Sequence, residues 1–173
     1  MSARETTCDP EPRMRLYLRA LGAFLACPGV VAGVLPVLIG WGRPPATGWR
    51  AVGCLPLALG AAGLAWCVRD FLVSGRGTLA PWDPPRRLVV VGLYRYVRNP
   101  MYLAVLTIIL GWALYFGSWW LGLYLGVGAV AVHLRVIGHE EPWLQRQFGE
   151  DWIRYTQAVR RWIPRLRAGE GTP

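Results

Sequence analysis

Two polar stretches of this 173-residue chain hold the residue types able to do chemistry, and apolar runs separate them. The first, RRLVVVGLYRYVRNPMY, runs from Arg86 to Tyr102, and the second, EEPWLQRQFG, begins at Glu140. In the first, Asn99 precedes Pro100. Proline has no N–H to donate and fits the first turn of a helix, while an asparagine before it can cap the free amides with its side-chain oxygen. Such a helix start offers unpaired N–H groups and a positive dipole end to anionic or hydroxyl groups of a ligand. An ordinary helix start at a membrane interface has the same sequence. In the second stretch, two adjacent acids at the end of an apolar helix are costly unless paired or solvated. They point about 100° apart, so one can face a ligand, accepting from a ribose hydroxyl pair or an ammonium, while the other meets solvent. An exposed interfacial pair accounts for them equally well.

The apolar segment between these stretches must bring them together. No formal charge occurs between Arg98 and Arg135. As one straight helix, Asn99 to Leu134 would be roughly 54 Å long, against a hydrocarbon core of about 30 Å. The chain must therefore double back. Phe116-Gly117-Ser118 is the expected turn, because glycine permits turn geometry and serine can bond nearby backbone. The turn leaves two segments of roughly 17 residues, just long enough to cross. Arg98-Asn99-Pro100 and Glu140-Glu141 then lie at one membrane face.

The composition supports this plan. A hydrophobic fraction of 54%, with ten Trp and 21 Gly, points to a polytopic membrane protein. The expected fold is an all-α membrane helix bundle of four transmembrane helices with a cytosolic amphipathic C-terminal helix region. It forms one membrane domain over 1–173: a cytosolic tail (1–15), two spans (16–73), a cytosolic connection (74–98), a helical hairpin (99–138) and cytosolic C-terminal helices (139–173). The first span is charge-free over 20–42 and the second over 51–68. Pro28 and Pro36 should kink the first, and neighbouring helices must satisfy the carbonyls they free. Gly53, Gly60 and Gly63 should let the second approach another helix closely. Arg69 and Asp70 read as an interfacial pair at its exit. Leu88 to Val91 reads as a strand-like or interfacial segment, too short to cross. Leu144, Phe148, Trp152, Tyr155, Val159 and Trp162 form the stripe of an amphipathic helix that Gly149 breaks. Arg146, Arg154, Arg160, Arg161, Arg165 and Arg167 should line its solvent or lipid-head face.

Charge sets orientation and excludes other classes. All 19 basic residues are Arg, which suggests a GC-rich coding sequence, and the net charge is +9. The arginines are dispersed between apolar runs, which argues against nucleic acid and for contact with anionic lipid heads. By the positive-inside rule both termini and the loop from Arg69 to Arg98 face the cytosol, as in a multi-pass protein of a bacterial inner membrane. Cys8, Cys27, Cys54 and Cys67 form no CxxC pair and read as packing residues. His139-Glu140 opens like HExxH, but Trp143 stands where the second histidine is needed. His133 and His139 do not share a helical face, so no metal site is implied.

The order RRLVVVGLYRYVRNPMY, then EEPWLQRQFGEDWIRYTQAVRRWIPR, resembles the carboxy-terminal half of the isoprenylcysteine carboxyl methyltransferase family, which is related to phospholipid N-methyltransferases. The resemblance covers roughly residues 86 to 165. It implies an integral membrane methyltransferase that uses S-adenosyl-L-methionine on a lipophilic small-molecule or lipid-linked substrate. It also implies cofactor contacts at Arg86, Arg87, Leu88, Val89, Tyr94, Asn99, Pro100, Met101, Tyr102 and Glu140. Asn99 stands where the family usually has His, and Val136 where the prenylcysteine enzymes place a substrate-binding Arg. The adjacent Arg135 becomes the candidate catalytic anchor for a carboxylate acceptor, which needs no general base. Two other readings keep the same architecture: a membrane sterol reductase using NAD(P)H, and a non-enzymatic four-helix transporter.

Overall fold

A computed structural model describes residues 25–42, 50–70 and 88–165, together with Gly22, Gly48 and Val73. The expected tail at 1–15, most of the connection at 74–98, and Arg86, Arg87 and Arg167 lie outside the described residues. The described part is helical, with no strand among its residues. The first helix, α1, is a π-helical stretch, Leu25–Val34, that passes into α-helical Leu35–Gly40. Next come α2 (Arg50–Asp70), α3 (Pro100–Phe116) and α4 (Trp119–Arg135). A π-helical turn, Val136–Glu140, joins α4 to α5 (Glu141–Ala158).

Pro36 explains why α1 is held as it is. Its missing N–H leaves a carbonyl unpaired four residues back in an α-helix, or five back in a π-helix. Those carbonyls belong to Ala32 and Val31. Trp112 Nε1 of α3 donates to the Ala32 oxygen at 2.9 Å, and Tyr124 of α4 donates its hydroxyl to the Val31 oxygen at 2.9 Å. Neighbouring helices thus supply the bonds that the sequence requires at this depth.

The closest packing in the bundle is between α2 and α3, and glycine makes it possible. A Cβ at Gly53 would lie 2.6 Å from the backbone nitrogen of Tyr115. One at Gly60 would lie 2.8 Å from the Ala104 carbonyl, and one at Gly111 2.7 Å from the Leu57 nitrogen. The two backbones therefore touch, as small residues allow in lipid. Gly63 meets the Ala104 methyl at an ordinary 3.6 Å.

The turn falls where the charge-free run places it. Gly117 adopts the left-handed conformation (φ 57°, ψ 33°) that ends α3. Ser118 N–H reaches back to the Ala113 carbonyl at 3.1 Å, and the Ser118 carbonyl receives the first amides of α4. The arms have 17 residues each.

Two helices are long and apolar enough to cross a membrane, α2 and the continuous run Trp119–Ala158, while Pro28–Gly40 and α3 are shorter apolar helices. The most apolar window of α2 is only 22% buried, and that of the longer run 11%. Their large side chains, Leu55, Leu59, Val127, Val130 and Leu134 among them, face outward. Helices in the core of a soluble protein would be covered, so this outward apolar surface fits a lipid environment. The strand-like reading of Leu88–Val91 is corrected. Residues 88–90 belong to no strand, Val91 is extended (φ −126°, ψ 163°), and a 3₁₀ turn, Gly92–Arg95, follows.

Replacing Gly60 with Leu should lower stability by about 3 kcal/mol or more, because overpacking here meets backbone. Gly122→Leu, where an added Cβ meets nothing within 4 Å, should change it by less than about 0.5 kcal/mol. Denaturation of both variants in detergent micelles by sodium dodecyl sulfate checks the contrast.

Candidate active site at the returning helix ends

The hairpin returns the chain so that the ends of α3 and α4 share one edge of the bundle. Pro100 occupies the first turn of α3 and Asn99 the cap position before it. The expected capping bond is absent: Asn99 Nδ2 instead donates to the Arg161 carbonyl at 3.3 Å, while the Asn99 carbonyl accepts from Leu103 N–H. One turn on, the Tyr102 hydroxyl donates to Glu140 Oε1, 38 residues away in sequence.

The π-helical turn explains what else Glu140 touches. Five residues along an α-helix rotate a side chain about 140° from the first, whereas π-helical bonding brings positions i and i+5 together. Arg135 Nε accordingly donates to Glu140 Oε1 at 2.9 Å. Both bonds use the same carboxylate oxygen, and Oε2 has no partner among the described residues.

Glu141 is more enclosed, with 16% of its side chain exposed. Arg98 Nη1 donates to its Oε1 at 2.8 Å, and Arg161 grips it with Nε on Oε1 and Nη2 on Oε2, both at 2.7 Å. A two-point fork of this kind is among the stronger charged contacts. Burial pulls the Arg98 guanidinium below its usual range, and the Glu141 charge opposes that shift. Hydrogen bonding to Glu141 raises Arg161. Arg98 also lies 6.0 Å from the ring centre of Trp152.

The C-terminal stripe closes over the last residues of the connection. Trp152, Tyr155 and Val159 are buried against Leu88, Val90, Leu144 and Phe148. Tyr155 donates its hydroxyl to the Tyr94 carbonyl at 2.7 Å, Arg98 N–H donates to the Arg160 carbonyl, and Arg165 N–H to the Tyr96 carbonyl. Gly149 makes the closure possible, with φ 50° and ψ −121° inside α5. Tyr94 is buried with Val89 and Cys67 while Met101 packs on them; burial pushes the phenols of Tyr94 and Tyr155 up, keeping both neutral.

Of the residues singled out in the sequence, Tyr102, Arg135 and Glu140 meet side chain to side chain, Asn99 and Pro100 open the turn that carries Tyr102 while the Asn99 side chain bonds Arg161, and Met101 packs on Tyr94 and Val89. Leu88, next to Val89 in the chain, packs against the cluster of Trp152, Tyr155 and Val159. Three expectations are corrected. Neither glutamate points free into solvent, because each finds cations or hydroxyls across the fold. Arg161 is not on an outer face but turned inward to Glu141. Asp70 is buried, 8% exposed, against Gly92 rather than sitting at the interface with Arg69. Arg98, expected at the same face as the glutamates, and Arg161, expected on an outer face, are the two residues at this site to which the sequence assigned no role in it. The need of two adjacent acids for two sources of positive charge was the available signal.

A family model described as phospholipid methyltransferase matches residues 49–151, a stretch that includes α2, the hairpin and both glutamates. The chain belongs to the phospholipid methyltransferase family. An uncharacterised protein of Haemophilus influenzae is 38% identical over 65 residues, 36% of this chain and all of that protein. No solved structure matches. The family is one of membrane methyltransferases acting on lipid-related substrates, and the outward apolar faces of α2 and α4 agree with a place in the membrane.

Glu141→Gln should cost about 3 kcal/mol of stability, because it leaves two guanidiniums close together without a full counter-charge. Glu150→Gln, at an exposed position, should cost less than about 0.5 kcal/mol. The same detergent denaturation measures both.

Proposed function

We propose that this protein is a four-span methyltransferase that uses S-adenosyl-L-methionine to methylate a membrane lipid at the cytosolic face. The observation that carries the reading is the junction of Tyr102, Arg135 and Glu140, in which one carboxylate oxygen is fixed by two donors and the other has no partner. A carboxylate so oriented suits a ribose hydroxyl pair. The apolar cluster of Val89, Tyr94 and Met101 beside it offers a surface for the remainder of a nucleoside. The donor set therefore fits the cofactor. Glu140 and Tyr102 would hold it, with Leu88, Val89, Tyr94, Asn99, Pro100 and Met101, and with Arg86 and Arg87 of the connection.

When bound, the cofactor supplies a methyl group on a positively charged sulfur. That charge is lost as the methyl moves, so an anion beside the sulfur would hold the ground state more than the transition state. Glu140 is better used at the ribose than at the sulfonium. The contribution of these residues is then alignment, which can supply several kcal/mol. Membership of the phospholipid methyltransferase family favours a headgroup amine as acceptor. Such an acceptor nitrogen would have to enter unprotonated, with its lone pair free to take the methyl that the bound cofactor would supply. A carboxylate acceptor, as in a prenylcysteine-type group, is a second reading supported by Arg135. Its side chain is 43% exposed and engages Glu140 through Nε.

Purified protein incubated with methyl-labelled S-adenosyl-L-methionine and native lipid extract should yield a labelled lipid by mass spectrometry. A labelled amine selects the first acceptor and an ester the second. In calorimetry S-adenosylhomocysteine should bind, and Glu140→Gln should weaken it about tenfold or more, equivalent to about 1.4 kcal/mol. Binding of NADPH alone would overturn the reading in favour of a reductase. Transport of a ligand into liposomes, retained by Glu140→Ala with no cofactor binding, would overturn it in favour of a transporter.

A further inference from the structure

The two halves of α5, bent at Gly149, border an open cleft of about 470 Å³ lined by Arg98, Glu141, Gln145, Trp152, Thr156 and Arg161, together with Ile137 and Pro142. Its charged side chains are two arginines and one glutamate, a net of +1. Glu141 cannot saturate both cations: it takes only Nη1 of Arg98, and the buried Nε of Arg98 has no hydrogen-bond partner among the described residues. That Nε is closed off, but Arg98 Nη2 also has no hydrogen-bond partner among the described residues and is not buried, so an incoming oxyanion can accept from it. Trp152 supports the Arg98 guanidinium from one side. Gln145 and Thr156 add neutral polar groups to the lining.

We infer that this cleft is a subsite for the phosphate of a phospholipid headgroup, held chiefly by Arg98 and Arg161. The inference rests on the methyltransferase reading and names the part of the acceptor that is recognised away from the reacting atom. Position decides between a lipid phosphate and a free one. Arg98 immediately precedes the cap of α3, and Ile137 follows the last turn of α4, so the cleft lies where these apolar helices end. Headgroup phosphates occupy that depth of a bilayer. The exposed Ile137 beside the polar lining gives the start of an acyl chain an apolar neighbour. Guanidinium groups suit the planar, multi-point recognition of phosphate oxygens. Arg98 lies four residues before Tyr102 and Glu141 directly follows Glu140, so a headgroup anchored here has its far end near the proposed cofactor site.

The test uses the full chain in maltoside micelles, in buffer without phosphate, with no cofactor present. Calorimetric titrations compare dihexanoyl phosphatidylethanolamine, dihexanoylglycerol and inorganic phosphate. The phospholipid should bind about tenfold or more tightly than the phosphate-free lipid. Arg161→Gln, which keeps the Arg98–Glu141 pair, should weaken phospholipid about tenfold while leaving S-adenosylhomocysteine within about twofold. Gln145→Glu, at an exposed position that does not threaten folding, should weaken phospholipid in the same direction by placing a negative charge in the cleft. Equal affinity for both lipids, or phospholipid binding unmoved by either variant, overturns the inference. Inorganic phosphate binding as tightly as phospholipid assigns the cleft to the free anion and overturns the lipid assignment. Loss of S-adenosylhomocysteine with phospholipid binding intact makes it the cofactor's carboxylate site, which also overturns the inference but leaves the methyltransferase reading standing. Selective phospholipid binding without any methylated lipid supports the inference and counts against that reading.

Discussion

One carboxylate holds together the edge of the bundle where α3 begins and α4 ends. Glu141 joins Arg98, from the segment leading into α3, to Arg161, from the segment that follows α5. Without it two guanidiniums would be drawn close in a partly buried place, a configuration that proteins do not sustain unpaired. With it, three pieces of chain separated by 43 and 20 residues share one small volume. The neighbouring bonds at Glu140, Asn99 and Tyr155 depend on the same approach.

The apolar framework exists to make that approach possible. Touching backbones at Gly53, Gly60 and Gly111 fix α3 against α2. Trp112 and Tyr124 then tie α1 to α3 and α4 through carbonyls that Pro36 cannot use. In lipid neither arrangement gains from the exclusion of water between helices, so close contact and hydrogen bonding must carry it. Beyond the apolar helices the balance changes. There Trp152, Tyr155 and Val159 bury apolar surface against the connection, at roughly 1.5–3 kcal/mol for a fully buried large side chain.

Where a physical rule acts locally, the sequence could be read. A charge-free run too long for one crossing demanded a turn, and Gly117 was the residue able to make it. Pro100 marked a helix start, Gly149 a break, and the stripe from Leu144 to Trp162 the apolar face of an amphipathic helix. The same residues did not disclose what depends on distant partners or on a departure from regular helix. Asn99 takes the cap position, yet its side chain serves Arg161, 62 residues on. The Arg135–Glu140 contact needs the π-helical turn, which no periodicity announces. Arg161 looks like every other arginine of the C-terminal segment until the bend at Gly149 directs it inward. Asp70 beside Arg69 suggested a surface pair, whereas the close approach of Gly92 shows a carboxylate turned into the fold.

The central claim is that the hairpin brings the Arg98–Tyr102 segment and the twin glutamates to one membrane face. Impermeant maleimide labelling of single cysteines placed at the exposed positions Arg95 and Arg146, in a background lacking the native cysteines, tests it most directly. In sealed inverted vesicles both positions should label from outside, and in right-side-out vesicles neither should. Labelling of the two from opposite sides would contradict the account.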